Sequence, residues 1–127
     1  MKALIDADIL IWHLRGERKA ADYLRGLAED PDIELWTGAM QRAEVLFFMR
    51  THEEEATMTL LSRIRTAAVD QAVVDEAGRI FRKWNPSHGI DPNDAILAAT
   101  ALTGGGQIHT LNSKHYPMKD VVVIKAW

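Results

Sequence analysis

The sequence predicts an α/β fold in which a parallel sheet lies between helices. Two observations carry this. The runs Ala3-Leu4-Ile5 and Val121-Val122-Val123-Ile124 are apolar without alternation, the pattern of strands covered on both faces. Between them, strand-like segments and amphipathic helices succeed one another in a βα rhythm, which favours a sheet packed between helical layers.

Residues 2–6 read as the first strand and 9–14 as a first helical segment. Residues 17–29 form an amphipathic helix with Ala20, Ala21, Leu24 and Leu27 on one side. Asp30-Pro31-Asp32 is a turn, and a second strand follows at 33–36. Thr37 is placed to cap a helix reaching about residue 50, and residues 53–67 form the next one. A further helix starts at Asp70 or Gln71 and ends at Trp84, stopped by Asn85-Pro86 and a loop at Gly89. Asp91 starts an Ala-rich helix that Gly104-Gly105-Gly106 ends. Residues 108–111 and 121–124 complete a sheet of four or five strands.

At 127 residues the chain has the length of one domain, residues 1–127. Its 47% hydrophobic and 26% charged content is that of a globular protein. The absence of cysteine excludes disulfides, thiolate metal sites and cysteine nucleophiles. Only Lys2 precedes the interruption of the first apolar run by Asp6 and Asp8, so this end resembles neither a signal peptide nor a membrane anchor. Cytoplasmic residence is the expectation. A net charge of −3 gives no global attraction to nucleic acid, and a polyanionic substrate would need local contacts.

Three carboxylates stand where a core would place something apolar. Asp6 ends the first strand, Asp94 opens the Ala-rich helix, and Glu44 falls between Met40 and Phe47-Phe48 on one side of its helix, with Arg42 on the other. A buried carboxylate must be paired, protonated or metal-bound. Three brought together would repel one another, and an oxygen-only donor set suits magnesium or manganese. Each acid also has a plainer reading. Asp6 or Asp8 can cap the helix at Ile9, Glu44 can pair with a distant arginine, and Asp91-Pro92-Asn93-Asp94 can form a capping box. In the last motif Asp91 reads as structural and Asp94 as functional.

Four segments, in this order, resemble PIN-domain ribonucleases, in particular VapC-type toxins of toxin–antitoxin pairs. They are Asp6 after a strand, Ala43-Glu44-Val45-Leu46 on a helix, Asp94-Ala95-Ile96-Leu97-Ala98-Ala99-Thr100-Ala101, and Thr110-Leu111-Asn112. The likeness spans essentially the whole chain, and the second aspartate stretch is its most specific part. It implies a PIN-like three-layer fold and a Mg²⁺-dependent endoribonuclease (Mn²⁺ substituting) that is homodimeric and neutralised by a small cognate antitoxin. Asp6, Glu44 and Asp94 become the catalytic, metal-binding acids, and Thr110 and Asn112 brace them. The chain departs from the family at His115, where a fourth acid often stands, and at Asp8, where a neutral polar residue is more usual. One metal is therefore implied more firmly than two, with His115 and Asp8 in supporting roles.

The chemistry this implies is hydrolysis of RNA phosphodiesters by water, one carboxylate taking its proton, to leave 5′-phosphate and 3′-hydroxyl ends. Arg15, Arg18 and Lys114 could form a basic rim for flanking phosphates, or be scattered surface charges. Ile11-Trp12 and Phe47-Phe48 suit core or interface packing, with base stacking as the alternative. The remaining histidines, His109 among them, read as surface or loop residues. Two rival functions stay open: a non-catalytic RNA- or protein-binding module, and a haloacid-dehalogenase-like phosphatase built on Asp6-Ala7-Asp8.

Overall fold

In the computed structural model, which describes residues 1–127, Ala3-Leu4-Ile5 lies in the middle strand of a five-stranded sheet, whereas only Val123 and Ile124 of the second run enter a strand, a half-buried edge one, and Val122 is exposed. Strand β1 (Lys2–Ile5) leads to α1 (Ala7–Leu14) and α2 (Arg18–Glu29). Next come β2 (Glu34–Gly38), α3 (Ala39–Phe47), a 3₁₀ turn at Thr51–Glu53, α4 (Glu54–Ser62) and β3 (Arg65–Ala67). The chain closes with α5 (Gln71–His88), α6 (Pro92–Gly104), β4 (Gln107–Thr110), a 3₁₀ turn at Ser113–His115, and β5 (Val123–Lys125). The strand order is β3-β2-β1-β4-β5 and every pairing is parallel.

Both faces of β1 are buried. Leu4 packs with Ile108, Leu97, Ala98 and Ile80 under α5 and α6. Ala3 and Ile5 point the other way, to Ile9, Leu10, Leu24, Val45 and Leu61. Each large aliphatic side chain so enclosed contributes about 1.5–3 kcal/mol of transfer free energy, which explains why these strands carry no polar alternation. The order reverses at β1, between β2 and β4, and the carboxyl ends of the strands flanking such a switch point open a crevice.

Several expectations are corrected. Residues 53–67 are not one helix; the segment 65–67 pairs with β2, Thr66 opposite Thr37 and Ala67 opposite Gly38. A three-residue edge strand is too short to display a period. The helix of 70–84 continues through Pro86 to His88 and ends at Gly89, whose φ of 58° is left-handed. Pro86 is tolerated because it lies in the last turn, close to where the hydrogen-bond ladder ends. Thr37 is not a cap. It is fully buried in β2, and its hydroxyl donates to Ile5 O at 2.7 Å, while Gly38 begins α3.

Phe47 and Phe48 are not on a buried stripe either, being 76% and 74% exposed. The buried side of α3 is Gln41 and Val45. A Cβ on Gly38 would lie 2.1 Å from Gln41 Oε1 and 3.0 Å from Leu97 Cδ1. Glycine at this position therefore lets α3 close onto α6, the approach that brings Glu44 to the crevice.

Candidate active site

Asp6 follows β1 directly, and its N–H extends the parallel ladder by donating to His109 O at 2.9 Å. The side chain is 8% exposed. Its Oδ1 accepts from Ala7 N at 2.8 Å, capping α1, and its Oδ2 accepts from Thr110 Oγ1 at 2.9 Å and Tyr116 OH at 2.7 Å. Asp94 sits in the first turn of α6, where Asp91 supplies the cap by accepting from Asn93 N at 2.7 Å. The Asp94 carboxylate is thus left for the crevice. Its Oδ1 is 3.2 Å from Tyr116 OH and its Oδ2 is 3.3 Å from His115 Nδ1. Glu44, on α3, accepts from Asn93 Nδ2 at 3.1 Å through Oε1.

These side chains share one open cleft of about 410 Å³, lined by Asp6, Asp8, Glu44, Phe48, Asp91, Asn93, Asp94, Asn112 and His115. Asp8 is tied to the end of β4. Its Oδ2 accepts from Leu111 N at 3.0 Å, Asn112 Nδ2 at 3.2 Å and Thr110 Oγ1 at 3.1 Å, while Oδ1 accepts from Ile9 N. The Thr110 hydroxyl also receives Asn112 N at 3.1 Å. Having one proton, it serves Asp6 or Asp8 at any instant.

Neither lysine nor arginine lines the cleft, and none is ion-paired with Asp6, Glu44 or Asp94. The distant arginine considered for Glu44 is therefore not its partner. The three acids are held above the ordinary carboxylate range. For Asp6, burial dominates and Asp8 adds repulsion, against the hydrogen bonds from Tyr116, Thr110 and Ala7. For Glu44, burial again leads; the Asn93 hydrogen bond opposes it, and Asp6, Asp91 and Asp8 add repulsion. Asp94 is pushed up to about 6 by burial and Asp6, with His115 pulling the other way.

Such a set fits a hard divalent cation by its chemistry: oxygen donors, surplus negative charge and no lysine or arginine to balance it. No three of the carboxylate and imidazole groups enclose an ion by themselves. The set therefore suits a cation that keeps part of its water shell, as magnesium does.

Of the basic residues considered, Arg15 lines an adjoining hollow with Ile11, Met49 and Arg50, and Phe48 is the wall common to both recesses. Arg18 is turned to solvent 3.9 Å from Asp22. Lys114 is exposed in the turn beside His115. Three further corrections concern aromatic and polar residues. His109 is not a surface residue; it is 4% exposed on β4, its Nδ1 hydrogen-bonded to Tyr23 OH. Tyr116 and Asn93, unmarked in the sequence reading, touch the acids directly. A tyrosine in a loop gives no periodic signal, and Asn93 was hidden inside a capping motif.

Fold and donor set define a class, a parallel α/β domain with an acidic, oxygen-donor cleft at the switch point of its sheet. The PIN domain family profile matches residues 3–120, and the chain belongs to that family. Ribonuclease VapC10 of Mycobacterium tuberculosis is 34% identical over 116 residues, covering 91% of this chain and 86% of the relative. Ribonuclease VapC19 of the same organism is also 34% identical over 116 residues, covering 91% and 92%. Among solved structures, a toxin-antitoxin complex from Klebsiella pneumoniae has a TM-score of 0.79 at 24% identity, over 98% of each chain. VapBC-1 from nontypeable Haemophilus influenzae has a TM-score of 0.79 at 19% identity, over 99% and 98%. These two share the fold.

Proposed function

We propose that this chain is a metal-dependent endoribonuclease, the toxin of a VapBC-type toxin–antitoxin pair, cutting RNA and thereby arresting translation and growth. The observation that carries the reading is the sharing of one cleft by Asp6, Glu44 and Asp94, from β1, α3 and α6, without a basic side chain among its walls. The 34% identity to two named ribonucleases supports it. A phosphatase using Asp6 as a phosphorylated nucleophile is set aside, because that chemistry belongs to another family and requires a lysine this cleft lacks.

Asp6, Glu44 and Asp94 would hold Mg²⁺, or Mn²⁺ in its place, with waters filling the other positions. When bound, such an ion supplies Lewis-acid polarisation of the phosphoryl oxygen and lowers the pKa of water. Thr110 and His115 hold Asp6 and Asp94 directly, and Asp8 and Asn112 hold Thr110. Among the three acids only Glu44 keeps an oxygen, Oε2, without a partner within the chain, and this oxygen would take the proton of the attacking water. The P–O3′ bond breaks as the P–O bond to water forms, and the leaving O3′ takes a proton from solvent water, giving a 5′-phosphate and a 3′-hydroxyl. The RNA 2′-hydroxyl takes no part.

Outside the acids, Phe48 offers a ring face to a base, while Arg15 and Lys114 meet neighbouring phosphates. Arg18 lies apart from this path. A small VapB-like antitoxin and a second copy of the chain are the proposed protein partners. The exposed Trp12, Phe47 and Met58 support apolar surface that a protein covers. No helix is long and apolar enough to cross a membrane, and we place the protein in the cytoplasm as one domain. Incubation of single-stranded and hairpin RNA with the purified protein in Mg²⁺, followed by mapping of the ends, tests the reading. Undiminished cleavage by both Asp6→Asn and Asp94→Asn would sink it.

A further inference from the structure

Tyr116 is 5% exposed, and its ring lies in the core cluster that includes Ile80, Ala95, Met118 and Val121. Its hydroxyl emerges from that core between two carboxylates, 2.7 Å from Asp6 Oδ2 and 3.2 Å from Asp94 Oδ1. It is the one side-chain donor within hydrogen-bond reach of both. We infer that Tyr116 is a positioning residue, whose hydroxyl is shared between Asp6 and Asp94, donating to one or the other, and so keeps both beside it in a preformed cation site. The inference rests on the proposal that this cleft binds a divalent cation.

The physical case has three parts. Two like-charged carboxylates repel one another, and Asp6 and Asp94 come from separate elements, a strand end and a helix start. A lysine or arginine could link them, but its charge would compete with the cation for the same oxygens; a phenol hydroxyl adds no charge. The hydroxyl is fixed by a packed ring rather than by a mobile loop, and a packed support of this kind is what holds a site in its working geometry.

A phenol has one proton for two acceptors. In the cation-free protein one of the two carboxylates therefore faces the phenol oxygen without receiving a proton from it. An entering cation offsets that repulsion, so Tyr116 both gathers the pair and leaves it attractive to positive charge. The other contacts do not duplicate this. Thr110 and the Ala7 N–H reach Asp6, and His115 reaches Asp94.

The test is calorimetric titration of the RNA-free protein with Mg²⁺ and with Mn²⁺. Tyr116→Phe keeps the ring and removes the link, and it should weaken cation affinity by roughly 10-fold or more, the loss typical of partners that orient metal ligands. Tyr116→Met, a second hydroxyl-free variant, should show the same loss. With RNA present and cation saturating, kcat should return to within about threefold of the parent, since the ligands themselves remain. Affinity unchanged or tightened in both variants overturns the inference. Asp94→Asn distinguishes the two levels: if it also binds cations like the parent, the proposed cation site is wrong. If it loses binding while both Tyr116 variants keep it, only the positioning role falls.

Discussion

The imidazole Nδ1 of His115 lies 3.3 Å from Oδ2 of Asp94. A histidine there lowers the cost of ionising a carboxylate that burial and Asp6 push up to about 6. Cleavage at sub-saturating Mg²⁺ should therefore fall as pH drops through about 6, where Asp94 takes up a proton and ceases to be a ligand. His115→Ala removes the opposing influence, so this acid limb should move to higher pH. Rate profiles between about pH 5 and 8 decide the point. A limb in the same place for parent and variant would show that the imidazole does not act on Asp94.

Stability should respond with the opposite sense. An unfolded aspartate titrates at about 3.9, whereas Asp94 in the fold is pushed up to about 6, so its ionised form weakens the fold at neutral pH. That cost disappears as pH falls through 6 towards 4. After discounting for solvent reaching the open cleft, the effect is on the order of 1–2 kcal/mol. Asp94→Asn should be more stable than the parent by about this amount in chelator at pH 7.5, and the difference should vanish near pH 4. His109, which burial holds below the ordinary imidazole range, works against acid stability in both proteins alike and cancels in the comparison. Urea unfolding at several pH values measures it.

Asn93 is the neighbour that fixes Glu44, donating to Oε1 at 3.1 Å. Asn93→Ala should reduce kcat by roughly 10-fold through loss of orientation. Asn93→Asp should cost more, because a further negative charge joins the Asp6, Asp91 and Asp8 carboxylates that already raise Glu44. Steady-state kinetics on one defined oligonucleotide separates the two; equal losses would mean that charge is not what matters at this position.

Phe47 and Phe48 are nearly equally exposed, yet only Phe48 lines the acidic cleft. If a base stacks there, Phe48→Ala should raise KM by about 5- to 30-fold, as loss of one stack worth about 1–2 kcal/mol implies. Phe48→Trp should restore it, and Phe47→Ala should leave KM as it was. Equal effects of the two alanines would point to protein packing rather than RNA.

Treatment with chelator should abolish cleavage while leaving the circular dichroism spectrum intact, because the core clusters stand on either side of the sheet and owe nothing to the cleft. Re-addition of Mg²⁺ or Mn²⁺ should restore the activity. Cleavage that persists in chelator would contradict the metal requirement.

The layered α/β architecture was legible because the buried strands have no polar alternation and Asp91-Pro92 marks a helix start unambiguously. The acids were legible because a carboxylate among apolar residues is costly and therefore informative. Glu44 was found by a partly mistaken route: Phe47 and Phe48, read as its buried companions, are exposed, and the polar wall it joins is built from α6. β3 escaped because three edge residues carry no period, and Thr37 because a threonine before a helix looks the same whether it caps or lies buried in a strand. Tyr116 and His109 escaped because what they touch lies on distant segments. Sequence patterns report a residue's own neighbourhood; a hydrogen bond from Tyr116 to Asp6, 110 positions away, leaves no local trace.

That separation bears on when the cleft can form. The cleft needs Asp6 from the first strand, Glu44 and Asp94 from the middle of the chain, and the segment carrying His115 and Tyr116 near its end. The three acids alone, without β4 and the turn that follows it, would have neither the Thr110 nor the Tyr116 hydroxyl beside them. The pocket is thus a product of the closed sheet and not of any single stretch of polypeptide.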